Sequence, residues 1–191
     1  MHLVRDFIED YLSKLNKSIN QISKKDLGNI IRLLLEGYKN DKKIFIFGNG
    51  GSASTSSHFA NDLNKLCNIK GRKRFKALAL TDNIPLMTAW ANDRNYNLIF
   101  VEQLKNFMEK GDIVIAISGS GNSENVIKAV KFAKKMDGIT IGILGFDGGK
   151  LKAHVDNHII IKSDMYGIIE DVHLSVCHII ANCLRHTLIN G

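Results

Sequence analysis

The chain is 191 residues long, 45% hydrophobic and 24% charged, with a formal net charge of +7. That length suits one globular domain with a substantial core, and the composition excludes a disordered or collagen-like chain. A single proline and the lack of a Pro/Gly/Ser-rich linker argue against a second domain, and no apolar run is read as reaching the ~18–20 residues that span a bilayer.

The three cysteines, Cys67, Cys177 and Cys183, are odd in number and form no CxxC pair. This argues against a disulfide framework or a cysteine zinc site and points to a reducing, cytoplasmic setting. Lysine dominates the positive charge, most densely from Lys70 to Lys76 (KGRKRFK). No basic run alternates with aromatics, so the charge reads as an anion-attracting, solvated surface and no nucleic-acid partner is expected.

In chain order, residues 2–17 set Leu3, Phe7, Ile8, Tyr11, Leu12 and Leu15 on one helical stripe, with Arg5, Glu9, Asp10 and Lys14 off it. Acids and bases mixed on a helical period do not make a signal peptide. A second helix is expected over 26–39, capped by Asp26, with Leu27, Ile30, Ile31, Leu33, Leu34 and Tyr38 as its apolar positions. Residues 1–40 thus form a helical segment that either covers the sheet or docks on another subunit.

From residue 43 the rhythm becomes strand, turn, helix. Strands are expected at 43–47, 75–80, 112–117, 139–144 and 157–161. Helices are expected at 52–66, 84–92, 97–108, 123–136, 148–154 and about 167–188. Short strands with few polar residues at their centres, alternating with helices, predict an α/β fold: a doubly wound five-stranded parallel sheet flanked by helices, in a single domain over 1–191. In such sheets ligands sit beyond the carboxyl ends of the strands, near a switch in strand order.

Two strand-to-helix turns carry the chemistry. The first strand breaks at Gly48-Asn49-Gly50-Gly51 and resumes as a hydroxyl-rich helix bearing His58 and Asp62, four residues apart on one face. Glycines that admit a close approach, followed by unpaired first-turn N–H groups, make an anion cradle. The third strand ends in Ser118-Gly119-Ser120-Gly121-Asn122-Ser123 before another helix. Hydroxyls and free N–H groups there can surround a phosphate without lysine or arginine, although serine and asparagine also favour plain turns and caps.

The run Gly48-x-Gly50-x-x-Ala53 also fits a dinucleotide fingerprint. Its ribose-binding acid should come about 20 residues on, whereas the nearest candidate, Asp82, is some ten positions late. A nicotinamide or flavin site would leave the serine loop, His58 and Asp62 unused, so no nucleotide is expected. The last helix opens with Glu170-Asp171-Val172-His173 and continues to Cys177-His178. Two histidines and two carboxylates from two helices suit zinc or another borderline divalent ion, and equally a general acid and base. Glu170 and His178 are offset by about 80° on an ideal helix, and spacing alone does not bring the two helices together.

GNGGSA followed by HFANDL, then Ala91-Asn92-Asp93, the SGSGNS loop, and EDVH with a further histidine at 178 resembles the sugar isomerase (SIS) family, within it the phosphoheptose isomerases. The resemblance covers essentially the whole chain, with its motifs in family order. It implies conversion of sedoheptulose 7-phosphate to a heptose 7-phosphate through an enediolate, in a homotetramer with sites at subunit boundaries.

By that resemblance Asn49, Gly50, Gly51, Asn92 and Asp93 would line the sugar. Ser118, Gly119, Ser120 and Ser123 would hold the phosphate. His58, Asp62, Glu170 and His178 would match catalytic and metal-binding positions, the metal being a divalent ion such as zinc. Two departures stand out: the family usually has glutamate at Asp62 and glutamine at Glu170. The alternative to an enzyme is a SIS-fold protein that senses a sugar phosphate or docks on a regulatory partner. It would keep the serine loop and let the His/Asp/Glu set drift.

Overall fold

The computed structural model describes residues 2–191. Five strands, β1 (Lys43–Phe47), β2 (Lys76–Ala79), β3 (Ile113–Ser118), β4 (Ile139–Gly145) and β5 (Asn157–Ile161), form one all-parallel sheet in the order β2-β1-β3-β4-β5. Successive side chains feed two separate cores. Ile44 and Ile46 of β1 and Ile113, Ile115 and Ile117 of β3 point to one side, while Phe45, Phe47, Val114 and Ala116 point to the other. With both faces buried, the strands read as continuous apolar runs.

The first core is covered by α2 (Lys24–Lys39), α3 (Gly51–Asn61) and α7 (Tyr166–Asn190), the second by α5 (Val101–Phe107) and α6 (Glu124–Lys135). α4 (Ile84–Asp93) adds the partly buried Met87 and Trp90 to the second. Chain order places β2 and β3 on opposite sides of β1, so the crevice at the carboxyl ends of β1 and β3 is the topological switch point. Both candidate turns open there.

Several expectations change. The cap of α2 is Ser23, whose hydroxyl accepts from Asp26 N at 3.2 Å, and Asp26 lies inside the first turn, where its charge favours the helix dipole. α1 (His2–Asn20) has its apolar period, yet Leu3 is 83% and Phe7 60% exposed, and only Tyr11 and Leu15 reach the core. Segment 97–108 splits into a 3₁₀ turn at Tyr96–Leu98 and α5, and segment 148–154 shortens to a 3₁₀ turn at Lys150–Ala153. α7, at 25 residues, is by length and composition apolar enough to cross a bilayer, which corrects the reading that no such run exists; half of its most apolar window is buried within the fold.

The expected helix 52–66 is the most telling correction. α3 stops at Asn61 and widens into a π turn, Asp62–Leu66, closed by Cys67 N donating to Asp62 O at 3.1 Å. Asn64 anchors that turn on the exposed edge of β2: its Nδ2 donates to Ala77 O at 2.8 Å and its Oδ1 accepts from Ala77 N at 3.2 Å. The side chain stands in for a neighbouring strand. Such π turns concentrate at functional sites, and this one begins on Asp62.

Candidate active site

Gly48, just past the end of β1, packs tightly on β3: a Cβ there would come within 2.5 Å of Ile117 O. Gly50 caps α3 with φ of +55°, a conformation side chains resist. At Gly51 a Cβ would lie 2.6 to 2.8 Å from the Glu170 carboxylate. The N-terminus of α3 therefore already faces an anion, supplied by α7 of the same chain. This turn is not free to serve as a phosphate cradle, and Glu170 gains a fixed position at the mouth of the crevice.

The serine loop is built differently. Ser118 Oγ accepts from Gly121 N at 3.0 Å and Ser120 Oγ accepts from Asn122 N at 3.2 Å. Each hydroxyl spends a lone pair on shaping the loop and keeps its own proton for a ligand oxygen. Gly121, at φ of +64°, packs so closely on Gly148 that a Cβ would sit 2.1 Å from the Gly148 carbonyl oxygen. Ser123 caps α6 without a side-chain hydrogen bond, leaving its hydroxyl beside the helix N-terminus.

The two turns are joined through Asn49 by Asn125, which sequence reading did not single out, any more than it did Tyr96. Asn49 Nδ2 donates to Asn125 Oδ1 at 3.0 Å and Asn125 Nδ2 donates back to Asn49 Oδ1 at 2.9 Å. Tyr96 OH adds a second donor to Asn49 Oδ1, at 3.0 Å. An asparagine early in a helix and an exposed tyrosine before one look like cap and surface, and only the fold reveals their partner.

Asn92 and Asp93 end α4, exposed, with Asn92 Nδ2 donating to Asp93 Oδ1 at 2.9 Å. Neither is hydrogen-bonded to the two turns. Asp82 accepts a hydrogen bond from Ser57, so the residue that a dinucleotide reading would assign to a ribose is engaged within the protein.

α3 and its π turn lie beside α7 because both press apolar faces on the same core: Phe59, Ala60 and Leu63 with Val172, Val176, Ile180 and Ala181. This brings His58 and His178 together, with their Nε2 atoms 3.0 Å apart. Asp62 Oδ2 lies 3.6 Å from His58 Nε2 and 3.7 Å from His178 Nε2. These three donor atoms all fall within 4.8 Å of one another; Glu170 is not among them.

Asp62 Oδ2 is buried and has no hydrogen-bond partner, an arrangement that costs free energy unless a proton or cation faces it. Two imidazole nitrogens turned toward one carboxylate oxygen are the donor set that suits zinc or a similar ion. His173 and Cys177, one turn apart on α7, are both buried; being enclosed pushes the His173 imidazole down to about 4. Burial also raises the Cys177 thiol far above its ordinary value, so neither is a reactive group at neutral pH.

A family model described as the SIS domain matches residues 9–145. The phosphoheptose isomerase of Helicobacter pylori is 41% identical over 157 residues, covering 82% of this chain and 81% of that protein. The phosphoheptose isomerase of Clostridium acetobutylicum is 34% identical over 190 residues, covering 97% and 96%. Among solved structures, phosphoheptose isomerase GmhA from Neisseria gonorrhoeae superposes with a TM-score of 0.87 at 30% identity, covering 96% of this chain and 97% of that one.

Proposed function

The chain belongs to the SIS domain family, and on that premise we propose that it is a phosphoheptose isomerase, converting sedoheptulose 7-phosphate to D-glycero-D-manno-heptose 7-phosphate by proton transfer through an enediolate. The observation that carries this reading is the His58–Asp62–His178 cluster, with its orphaned carboxylate oxygen, on the two helices beside the switch-point crevice.

The substrate's phosphate takes the hydroxyls of Ser118, Ser120 and Ser123 and the first-turn N–H groups of α6, with Gly119 letting the Tyr166 ring pack against the loop. The carbonyl end then reaches the crevice between α3 and α7, where the Asn49–Gly51 turn lines the sugar, with Asn92 and Asp93 assigned to its far side. Fixing the remote phosphate aligns the reacting end, so a substrate without it loses rate as well as affinity.

Glu170 is the base. Its carboxylate is fixed against Gly51 at the N-terminus of α3, at the mouth of the crevice, and it removes the proton next to the carbonyl. Asp62 is one methylene shorter than the family's usual glutamate, and its Oδ2 is held behind the two imidazoles. The two departures from the family pattern therefore offset one another: proton abstraction passes to Glu170, and Asp62 supports the histidines. His178, with 45% of its side chain exposed, moves the proton at the substrate oxygen.

As an alternative to that proton transfer, His58, Asp62 and His178 would hold a divalent ion, zinc by donor type, which would supply Lewis-acid stabilisation at the substrate oxygens in place of the His178 proton. The enzyme works in the cytoplasm, as a homotetramer in which the exposed stripe of α1 (Leu3, Phe7, Ile8, Leu12) is covered by another subunit. The test is His178→Ala. It should remain folded and lose about 100-fold or more in turnover, as for removal of a general acid; near wild-type turnover would overturn the assignment.

A further inference from the structure

We propose that Asn125 is a positioning residue of the isomerase: it fixes the amide of Asn49 so that a hydrogen-bond donor, and no acceptor, faces the sugar. The inference rests on the isomerase reading of the site. Asn125 is 2% exposed, in the first turn of α6, two residues after the phosphate-loop Ser123. Its Oδ1 accepts from Val126 N at 3.0 Å as well as from Asn49 Nδ2 at 3.0 Å.

Those contacts decide the orientation of both amides. A backbone N–H can only face an oxygen, so the Val126 contact identifies Oδ1 of Asn125. The reciprocal pair then identifies Oδ1 of Asn49, and the Tyr96 hydroxyl agrees by donating to it at 3.0 Å. Asn49 Oδ1 therefore has both lone pairs taken, by Asn125 and Tyr96. Of the two Nδ2 protons one goes to Asn125, which leaves a single N–H for a ligand. Such a group recognises a carbonyl or hydroxyl oxygen and offers nothing to a hydroxyl proton.

The bond also links two jobs. Asn125 rides on the helix whose N-terminus follows the serine loop, while Asn49 sits in the turn after β1 that faces α7. The reciprocal amide pair spans the switch-point crevice, tying the sugar-binding group to the element that receives the phosphate. Losing the pair should misalign the reacting end and leave phosphate affinity intact.

The test is a double-mutant cycle on turnover of sedoheptulose 7-phosphate, with inorganic phosphate as a competitive inhibitor to read the loop separately. Asn125→Ala should lower kcat about tenfold in the wild-type background and less than about twofold in an Asn49→Ala background, with the phosphate inhibition constant unchanged in both. Independent, multiplying losses would overturn the proposal, as would a phosphate constant that weakens in step with kcat. Should Asn125→Ala not fold, Asn125→Asp keeps the volume and the Val126 acceptor while removing the donor to Asn49, and the same outcomes apply.

If the wild-type protein turns over no sugar phosphate, the isomerase reading fails. The positioning claim is then decided by the Asn49 side-chain amide in an NMR spectrum. One of its protons donates to Asn125 Oδ1, so it should exchange slowly in the wild type and lose that protection in Asn125→Leu, which keeps the bulk and removes the acceptor; an unchanged exchange rate refutes the claim.

Discussion

Gly51→Ala isolates the role of Glu170 with a single methyl group. The added Cβ would fall 2.6 Å from one carboxylate oxygen and 2.8 Å from the carboxyl carbon, and ordinary contact begins at 3.4 Å. The carboxylate must therefore retreat by about 0.8 Å (3.4 − 2.6). Gly51 is not among the glycines with positive φ, so alanine suits the backbone, and at the head of a helix it changes stability by a few tenths to about 1 kcal/mol in its favour. A displacement approaching 1 Å costs a catalytic group up to about 100-fold. We expect kcat on sedoheptulose 7-phosphate to fall roughly 30- to 100-fold, equivalent to about 2–3 kcal/mol of barrier, with the melting temperature maintained or raised. Adding Gly51→Ala to Glu170→Gln should cost less than about twofold more. Unchanged kcat in a folded Gly51→Ala protein would refute the reasoning, and a full further loss in the Glu170→Gln background would show that the methyl group meets the substrate itself.

Other expectations follow from the same geometry. Asp62→Asn replaces an unpartnered buried carboxylate with a neutral amide, so the metal-free protein should melt higher while elemental analysis finds less bound divalent ion and added zinc no longer stabilises it. Ser120→Ala should weaken binding of sugar phosphates and leave free sugars unaffected; an equal loss for both would reduce the loop to a helix cap. His173 has a folded value of about 4 against about 6.5 when unfolded. In that window the unfolded chain binds the extra proton, so the stabilising effect is complete above pH ~6.5 and declines as pH falls toward 4, by up to about 3 kcal/mol. His173→Leu should flatten the dependence of unfolding free energy on pH between those values, and an unchanged slope would contradict the burial argument.

The strands were legible because Ile, Val and Phe runs bounded by glycine or aspartate have no other good use in a chain this short. The serine loop and the His58/Asp62 pair were legible for a related reason: polar residues placed directly after apolar strands, at a sheet's ligand-binding end, stand out from the pattern. What escaped the sequence were features that depend on another element. Asn125 looks like an ordinary first-turn asparagine until β1 brings Asn49 opposite it. The π turn at Asp62 needs the Ala77 backbone for Asn64 to grasp, and nothing local predicts it. Residue types alone put Glu170 in one ligand set with His178, whereas their angular offset on the helix separates them; in the fold the Glu170 carboxylate turns to Gly51 while His178 turns to His58. The α1 stripe has the right period for a buried face, but periodicity does not say whether the partner lies in the same chain.

Isomerisation of a phosphorylated heptose in this crevice can be followed by NMR on purified protein with sedoheptulose 7-phosphate, with and without prior chelation. The aldose should appear and the proton on the neighbouring carbon should exchange with solvent, both lost in Glu170→Gln and both diminished after chelation. Sedoheptulose 7-phosphate that stays unchanged while still binding to the serine loop would contradict the isomerase reading, and would leave a sugar-phosphate receptor built on the same fold.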